Sequence, residues 1–271
     1  MEKPFHQFGE WIETQLALGA ISFSLKEVKK KLPMMSETAI LRAINRQIAK
    51  GHIVSIYKSY YLIIPPQYKG MGILPPILFI DELMGFIGRP YYVGLVNAAV
   101  LHGATHQQPQ EFYVVTNLPN IRPIKKKGVV INFICQSKFN GMLAERRKTE
   151  TGSVRLSSPE QTAIELIEFE KRVGGLSRVA SILDELHEAF DKKGFDDKLL
   201  LESNASNLQR LGYIMERVIG AALFATKLHH KMEKLGIKMQ RIKLKSTGAI
   251  KGCPIDEKWN IIVNAEIEKD L

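Results

Sequence analysis

Thr38, Arg42, Asn45 and Arg46 recur at three- and four-residue intervals, so on a helix they share one face. Guanidinium groups match the O6 and N7 edge of guanine, and a carboxamide matches adenine, which gives this face the chemistry of a major-groove reader. Ser36 before it, Lys50 behind it and the run Lys58, Ser59, Tyr60 further on are candidates for phosphate or minor-groove contacts. Lys29, Lys30 and Lys31 are placed to clamp the same backbone. A polar face opposite an apolar one is also what any surface helix shows, and some modules of this kind bind proteins. A second basic stripe, Lys227, His230, Lys231 and Lys234, lies opposite Phe224, Leu228, Met232 and Leu235. With Lys238, Arg241, Lys243 and Lys245 beyond it, this stripe is either another nucleic-acid surface or a solvated face that aids solubility.

Catalytic constellations are sparse. His102 and His106 have the spacing of a helical metal pair, but Gly103 weakens a helix there and no acidic or Cys ligand stands near. Glu160, Glu165, Glu168 and Glu170 spread around a helix, so a solvated or salt-bridged face is expected rather than an acid–base pair. Cys135 lies in a β-rich run and reads as a small core residue. There is no GxxxxGK[ST], complete GxGxxG, GxSxG or HExxH. No enzyme, metal or cofactor is expected.

The elements that must position these residues are well punctuated. Phe5, Phe8, Trp11, Ile12 and Leu16 predict an amphipathic helix over 4–18, closed by Gly19. Ser24 and Glu27 form a capping box for a helix ending before Pro33, and Ser36 caps a third helix running to Lys50 and Gly51. Its apolar side is expected to hold Ile40, Leu41, Ile44 and Ile48. His52–Tyr57 and Tyr60–Ile64 then read as a β-hairpin. Three helices followed by a hairpin predict a winged helix-turn-helix, in which the third helix enters the major groove.

Paired prolines and spaced glycines between Pro65 and Gly72 mark a boundary. The expected organisation is a winged-helix DNA-binding domain over 1–66, a linker over 67–76, and a larger mixed α+β, mostly helical domain over 77–271. Within the latter, helices are expected over 77–87, 93–101, 158–172, 177–190, 198–201, 204–217 and 219–235. Strands are expected over 111–116 and 129–135, with the Lys125–Gly128 turn between them, and late ones over 242–244 and 259–265.

Composition agrees with a folded chain. Of 271 residues, 45% are hydrophobic and 24% charged, the ordinary range for globular proteins. The longest apolar runs, 71–80 and 218–225, fall short of the ~18 residues of a membrane span. The start Met1-Glu2-Lys3-Pro4 lacks an apolar secretory core, and two cysteines make no disulfide framework. A reducing cytoplasm is the expected location. The net charge of +10 is uneven: +5 over 1–69, +1 over 70–226, +7 over 227–251 and −3 over 252–271. Two basic ends around a neutral middle favour nucleic acid as partner.

The order of several short motifs resembles the AbiEi antitoxin family, the transcriptional regulators of type IV toxin–antitoxin operons. These are Tyr60-Tyr61-Leu62; Tyr91-Tyr92-Val93-Gly94-Leu95-Val96-Asn97-Ala98-Ala99 with His102-Gly103; and Gln108-Pro109 leading to Tyr113-Val114-Val115-Thr116. Ser158-Pro159-Glu160-Gln161-Thr162, Gly174-Gly175 and Arg210-Leu211-Gly212-Tyr213 continue the pattern, which stops near Lys238. The resemblance implies a repressor of its own operon that binds inverted repeats in double-stranded DNA. It also implies an antitoxin that counters a nucleotidyltransferase toxin without a stable complex with it. It gives 36–50 as the recognition helix, with two copies on DNA from a monomer or weak dimer in solution. The alternative is a winged-helix repressor whose C-terminal domain senses a ligand or docks a protein, with no toxin partner.

Overall fold

The computed structural model of the chain describes residues 7–105, 109–137, 139 and 144–268. Phe5, the start Met1–Pro4, His106 and Gln108, singled out above, lie outside the described residues. The architecture is mixed α+β. Two compact units divide it: Met1–Tyr92 with Gln110–Gly141 and Arg146–Arg155, and Val93–Pro109 with Met142–Glu145 and Leu156–Leu271.

The first unit opens with helix α1 (Phe8–Ala17), strand β1 (Ser22–Ser24), α2 (Leu25–Lys31), α3 (Glu37–Ala49), β2 (Ile53–Tyr57) and β3 (Tyr60–Ile63). The predicted capping box is made: Glu27 N donates to Ser24 Oγ at 3.2 Å, and Ser24 N donates to Glu27 Oε2 at 2.6 Å. Phe8, Trp11, Phe23 and Tyr61 form an aromatic core, with Phe23 stacked on Tyr61 at 5.2 Å and Trp11 edge-on to Phe23 at 5.3 Å. Ile40, Ala43 and Ile44 of α3 complete it. Leu41, expected on this apolar side, is 37% exposed instead.

Strand β1 has no sequence signature of its own. It forms by pairing antiparallel with β3, giving a sheet ordered β1-β3-β2. Tyr61 and Ile63 face the three helices, and alternation turns Tyr60 and Leu62 to the other side. That side is buried as well. Helix α4 (Pro76–Ile87) reaches it, with the Phe86 ring 4.8 Å from that of Tyr60 and Glu82 accepting from Ser22 Oγ. Burial, more than its acidic neighbours Glu27 and Asp81, pushes the Glu82 carboxyl above its ordinary range. Gly88 ends α4 in the left-handed region.

A six-stranded sheet follows, built from β4 (Tyr91–Val93), β5 (Glu111–Asn117), β6 (Ile124–Lys126), β7 (Val129–Gln136), β8 (Glu145–Thr149) and β9 (Gly152–Leu156). Its order is β6-β7-β5-β4-β9-β8. Strands β5 and β7 pair parallel from Glu111↔Val130 to Asn117↔Gln136. The lysine turn therefore joins the edge strand β6 to β7, not β5 to β7. Cys135, near the end of β7, is half-buried rather than a core residue.

The second unit is largely helical: α5 (Leu95–Leu101), α6 (Pro159–Glu168), α7 (Glu170–Val173), α8 (Leu176–Leu186), α9 (Asp197–Glu202), α10 (Ala205–Tyr213), a π-helix (Ile214–Val218) and α11 (Ala222–Lys234). The helix expected over 93–101 starts late, because Tyr91–Val93 is strand and Leu95 adopts a positive φ of 53°. After α11, the short strands β10 (Ile242–Lys243), β11 (Ile255–Asp256) and β12 (Ile261–Ile262) form a small sheet centred on β12. Trp259 anchors it to α10. Its indole lies so close to Gly212 that a Cβ there would overlap the six-membered ring. Its Nε1 donates to Glu216 Oε2 at 2.7 Å, while Lys258 Nζ donates to Glu216 Oε1 at 2.8 Å. No helix among the described residues is long and apolar enough to cross a membrane.

Candidate nucleic-acid interface

Helix α3 is placed by its cap and its core side. Ser36 Oγ accepts the Ala39 N–H at 3.2 Å, so that hydroxyl already serves the helix start. Ile40, Ala43 and Ile44 pack inward. The opposite face leaves Thr38, Arg42, Asn45, Arg46 and Lys50 exposed. Neither Arg42 nor Arg46 has an ion-pair or hydrogen-bond partner among the described residues. Such cations lose little on transfer to an anionic surface, since no internal contact must break first. At the margin, Glu37 is engaged by Lys29 at 2.7 Å, and Gln47 Oε1 lies 2.8 Å from His52 Nδ1.

The hairpin tip is narrower than the sequence implies. Lys58 is exposed, but Ser59 is half-buried at a positive φ of 58°, with its carbonyl accepting from Leu25 N at 2.9 Å. Tyr60 is only 3% exposed, and its hydroxyl donates to Ser22 Oγ at 2.6 Å. The expectation that Tyr60 reaches a phosphate is corrected: strand alternation turns its ring inward against Phe86. Burial raises its phenol well above the ordinary range.

The stripe on α11 is partly occupied. Lys231 Nζ donates to the Phe195 carbonyl and, at 2.8 Å, to Asp197 Oδ1, which draws the Asp197 carboxyl below its ordinary range. Lys227 Nζ donates to the Lys192 carbonyl and lies 5.5 Å over the Phe224 ring. Arg241 contacts Glu257 at 3.2 Å and Asn260 at 3.1 Å. His230 and Lys234 are exposed.

The acidic cluster on α6 departs most from its reading. Glu160 and Glu165 are buried, not solvated. Glu165 Oε2 accepts from Leu95 N at 3.2 Å, and its Oε1 accepts from Gln161 Nε2 at 3.1 Å. Glu160 Oε1 accepts from Asp191 N at 2.6 Å. Helix α5 has no side-chain cap of its own, and Glu165 supplies one from a distant helix. The signal available in sequence was the uncapped start after Gly94. Glu165→Ala is expected to lower stability by about 1–3 kcal/mol, because buried N–H groups lose their acceptor. Glu165→Gln, which keeps an acceptor oxygen, is expected to lose less; equal urea midpoints for wild type and both variants would contradict this role. Among the described residues, no group of three or more His, Cys, Asp or Glu is placed to hold a metal ion.

Residues 92–217 match the family model of the AbiEi antitoxin C-terminal domain. Residues 92–217, just under half of the chain, are thus similar to the AbiEi antitoxin domain. This is the domain of a type IV antitoxin family, a regulatory rather than an enzymatic class. The matched span runs from within β4 into the π-helix, so it includes Glu165 and Gly212. Helix α3 lies before it, and both α11 and Trp259 lie after it. Among solved structures, the crystal structure of the RV2827C protein from Mycobacterium tuberculosis shares the fold, with a TM-score of 0.66 at 14% identity. The alignment covers 95% of this chain and 92% of that one. No curated protein sequence matches the chain.

Proposed function

We propose that the protein is a DNA-binding autorepressor and type IV antitoxin, countering a nucleotidyltransferase toxin encoded in the same operon. In this reading residues 8–63 are a winged helix-turn-helix, within a DNA-binding domain of 1–66. A linker over 67–76 leads to an antitoxin and regulatory domain over 77–271. The observation that carries the DNA reading is the outer face of α3, where Thr38, Arg42, Asn45 and Arg46 are exposed together and neither guanidinium group has a partner among the described residues. Lys50 behind this face and Lys58 at the hairpin tip are the phosphate contacts. Ser36 sets the helix start that the reading needs. His230 and Lys234, with the partly engaged Lys227, Lys231 and Arg241, make a weaker second basic surface. Two copies on an inverted repeat would set their α3 helices in successive major grooves, about 34 Å apart.

The antitoxin role rests on the AbiEi domain. Two measurements test the whole. The full-length protein should retard the DNA upstream of its own gene in preference to unrelated DNA, with affinity falling linearly in log–log terms as salt rises. Co-expression should relieve growth arrest caused by the adjacent nucleotidyltransferase reading frame without co-purifying with its product. Equal retardation of unrelated DNA removes the autorepressor reading. Growth arrest that persists at full expression removes the antitoxin reading.

A further inference from the structure

The inner side of α3 is filled by Ile40, Ala43 and Ile44, with Ile48 packed beside them. Leu41 takes no part in that cluster and is 37% exposed. A helix turns about 100° per residue, which places Leu41 about 60° from Thr38 and about 40° from Asn45. Thr38, Leu41 and Asn45 therefore form one strip along the outer face, and Arg42 and Arg46 form the strip next to it. Leu41 is the apolar member of a face otherwise built from hydroxyl, amide and guanidinium groups. A helical side chain leans over the turn N-terminal to its own Cα, so Leu41 covers the half of α3 that begins at Ser36.

We propose that Leu41 reads a thymine 5-methyl group beside an adenine read by Asn45, so that the operator half-site contains an A·T step under this strip. This rests on the reading that α3 enters the major groove. In that groove every A·T pair shows a hydrogen-bonding edge on adenine and a methyl group on thymine. Asn45 suits the first, through its amide and carbonyl oxygen on N6 and N7. The second needs an apolar side chain, and Leu41 stands one turn away from Asn45 on the same strip. The guanidinium strip beside it suits guanine. The face is thereby divided lengthwise into an A·T-reading strip and a G·C-reading strip.

The test uses the DNA upstream of the protein's own gene, prepared once with thymidine and once with deoxyuridine throughout, which removes every 5-methyl group and leaves base pairing intact. Wild-type protein is expected to bind the deoxyuridine DNA about three- to tenfold more weakly, the scale set by burying a single methyl group. Leu41→Ala should weaken binding by a similar factor on thymidine DNA and by nothing further on deoxyuridine DNA. Leu41→Met, which keeps an apolar side chain, should retain discrimination between the two DNAs. Unchanged circular dichroism and melting temperature of both variants would assign the weaker binding to the interface. Wild-type binding that ignores the methyl groups overturns the inference, leaving the DNA reading intact. Additive effects of Leu41→Ala and deoxyuridine also overturn it, since the methyl effect then arises elsewhere. Absence of any specific binding to thymidine DNA overturns the DNA reading, and this inference with it.

Discussion

Replacing Trp259 by alanine is expected to destabilise the second unit by about 3–5 kcal/mol, the ordinary cost of emptying a large aromatic site in a core. The indole is fully buried, closes over Gly212, meets the His229 ring edge-on at 5.2 Å and anchors Glu216 through its N–H. Its removal also takes away one of the partners that hold the Glu216 carboxylate, leaving Lys258 at 2.8 Å and Arg217 at 3.9 Å. The same geometry makes Gly212→Ala unfavourable, by about 1–3 kcal/mol of overpacking, against a gain of about 1 kcal/mol in helix propensity. In the Trp259→Ala background the overlap is gone, so Gly212→Ala should become neutral or stabilising. Such a change of sign is a coupling between neighbours. Urea denaturation followed by circular dichroism reads all four proteins. Trp11 and Trp259 are the two tryptophans, so fluorescence would report a different residue in the variant. Additive effects would show that the two residues do not meet.

Arg42→Ala and Arg46→Ala are each expected to weaken binding to the upstream DNA by one to two orders of magnitude. That range follows from the roughly 1–3 kcal/mol that a bidentate guanidinium–guanine contact contributes. Stability should be unaffected, because neither side chain has a partner among the described residues. Arg42→Ala should also narrow the gap between specific and unrelated DNA. Lys58→Ala should behave differently, weakening all sequences alike and reducing the salt slope by about one. Gel-shift titrations at several salt concentrations distinguish these outcomes. Two arginine variants that bind like wild type would remove α3 as the reading element.

Local signals in the chain proved legible where a few consecutive residues decide the geometry. The Ser24 and Ser36 caps, the left-handed glycines after α1, α3 and α4, and the Pro159 start of α6 all stand where spacing places them. Elements held by distant partners were not legible. Strand β1 is three residues long and exists through its pairing with β3. The strand at 91–93 is hidden in an apolar run that periodicity cannot separate from a helix. For the candidate site, the polar face of α3 was readable, whereas the fates of Tyr60 and Leu41 were not. Tyr60 sits next to an exposed turn, yet α4 buries it. Leu41 falls at the border of the apolar arc, where a wheel drawn at fixed angles does not assign a side. Glu165 misled because a buried carboxylate is rare unless paired, and its partners are N–H groups about seventy positions away or on its own helix.

The β1-β3-β2 sheet is enclosed on both faces, by the helices around Phe23 on one side and by α4 on the other. A strand in that situation has no solvent side on which drift is harmless, and all four residues of β3 are buried. Sequence variation among descendants of this protein should therefore be squeezed out of β3. In the hairpin it is left to Ser55, Tyr57, Lys58 and Ser59, the positions that are not fully enclosed. Under the proposed DNA reading, selection for a changed operator would have little room to act through the strand itself, and new DNA preferences would arise on the outer strips of α3 and at the hairpin tip.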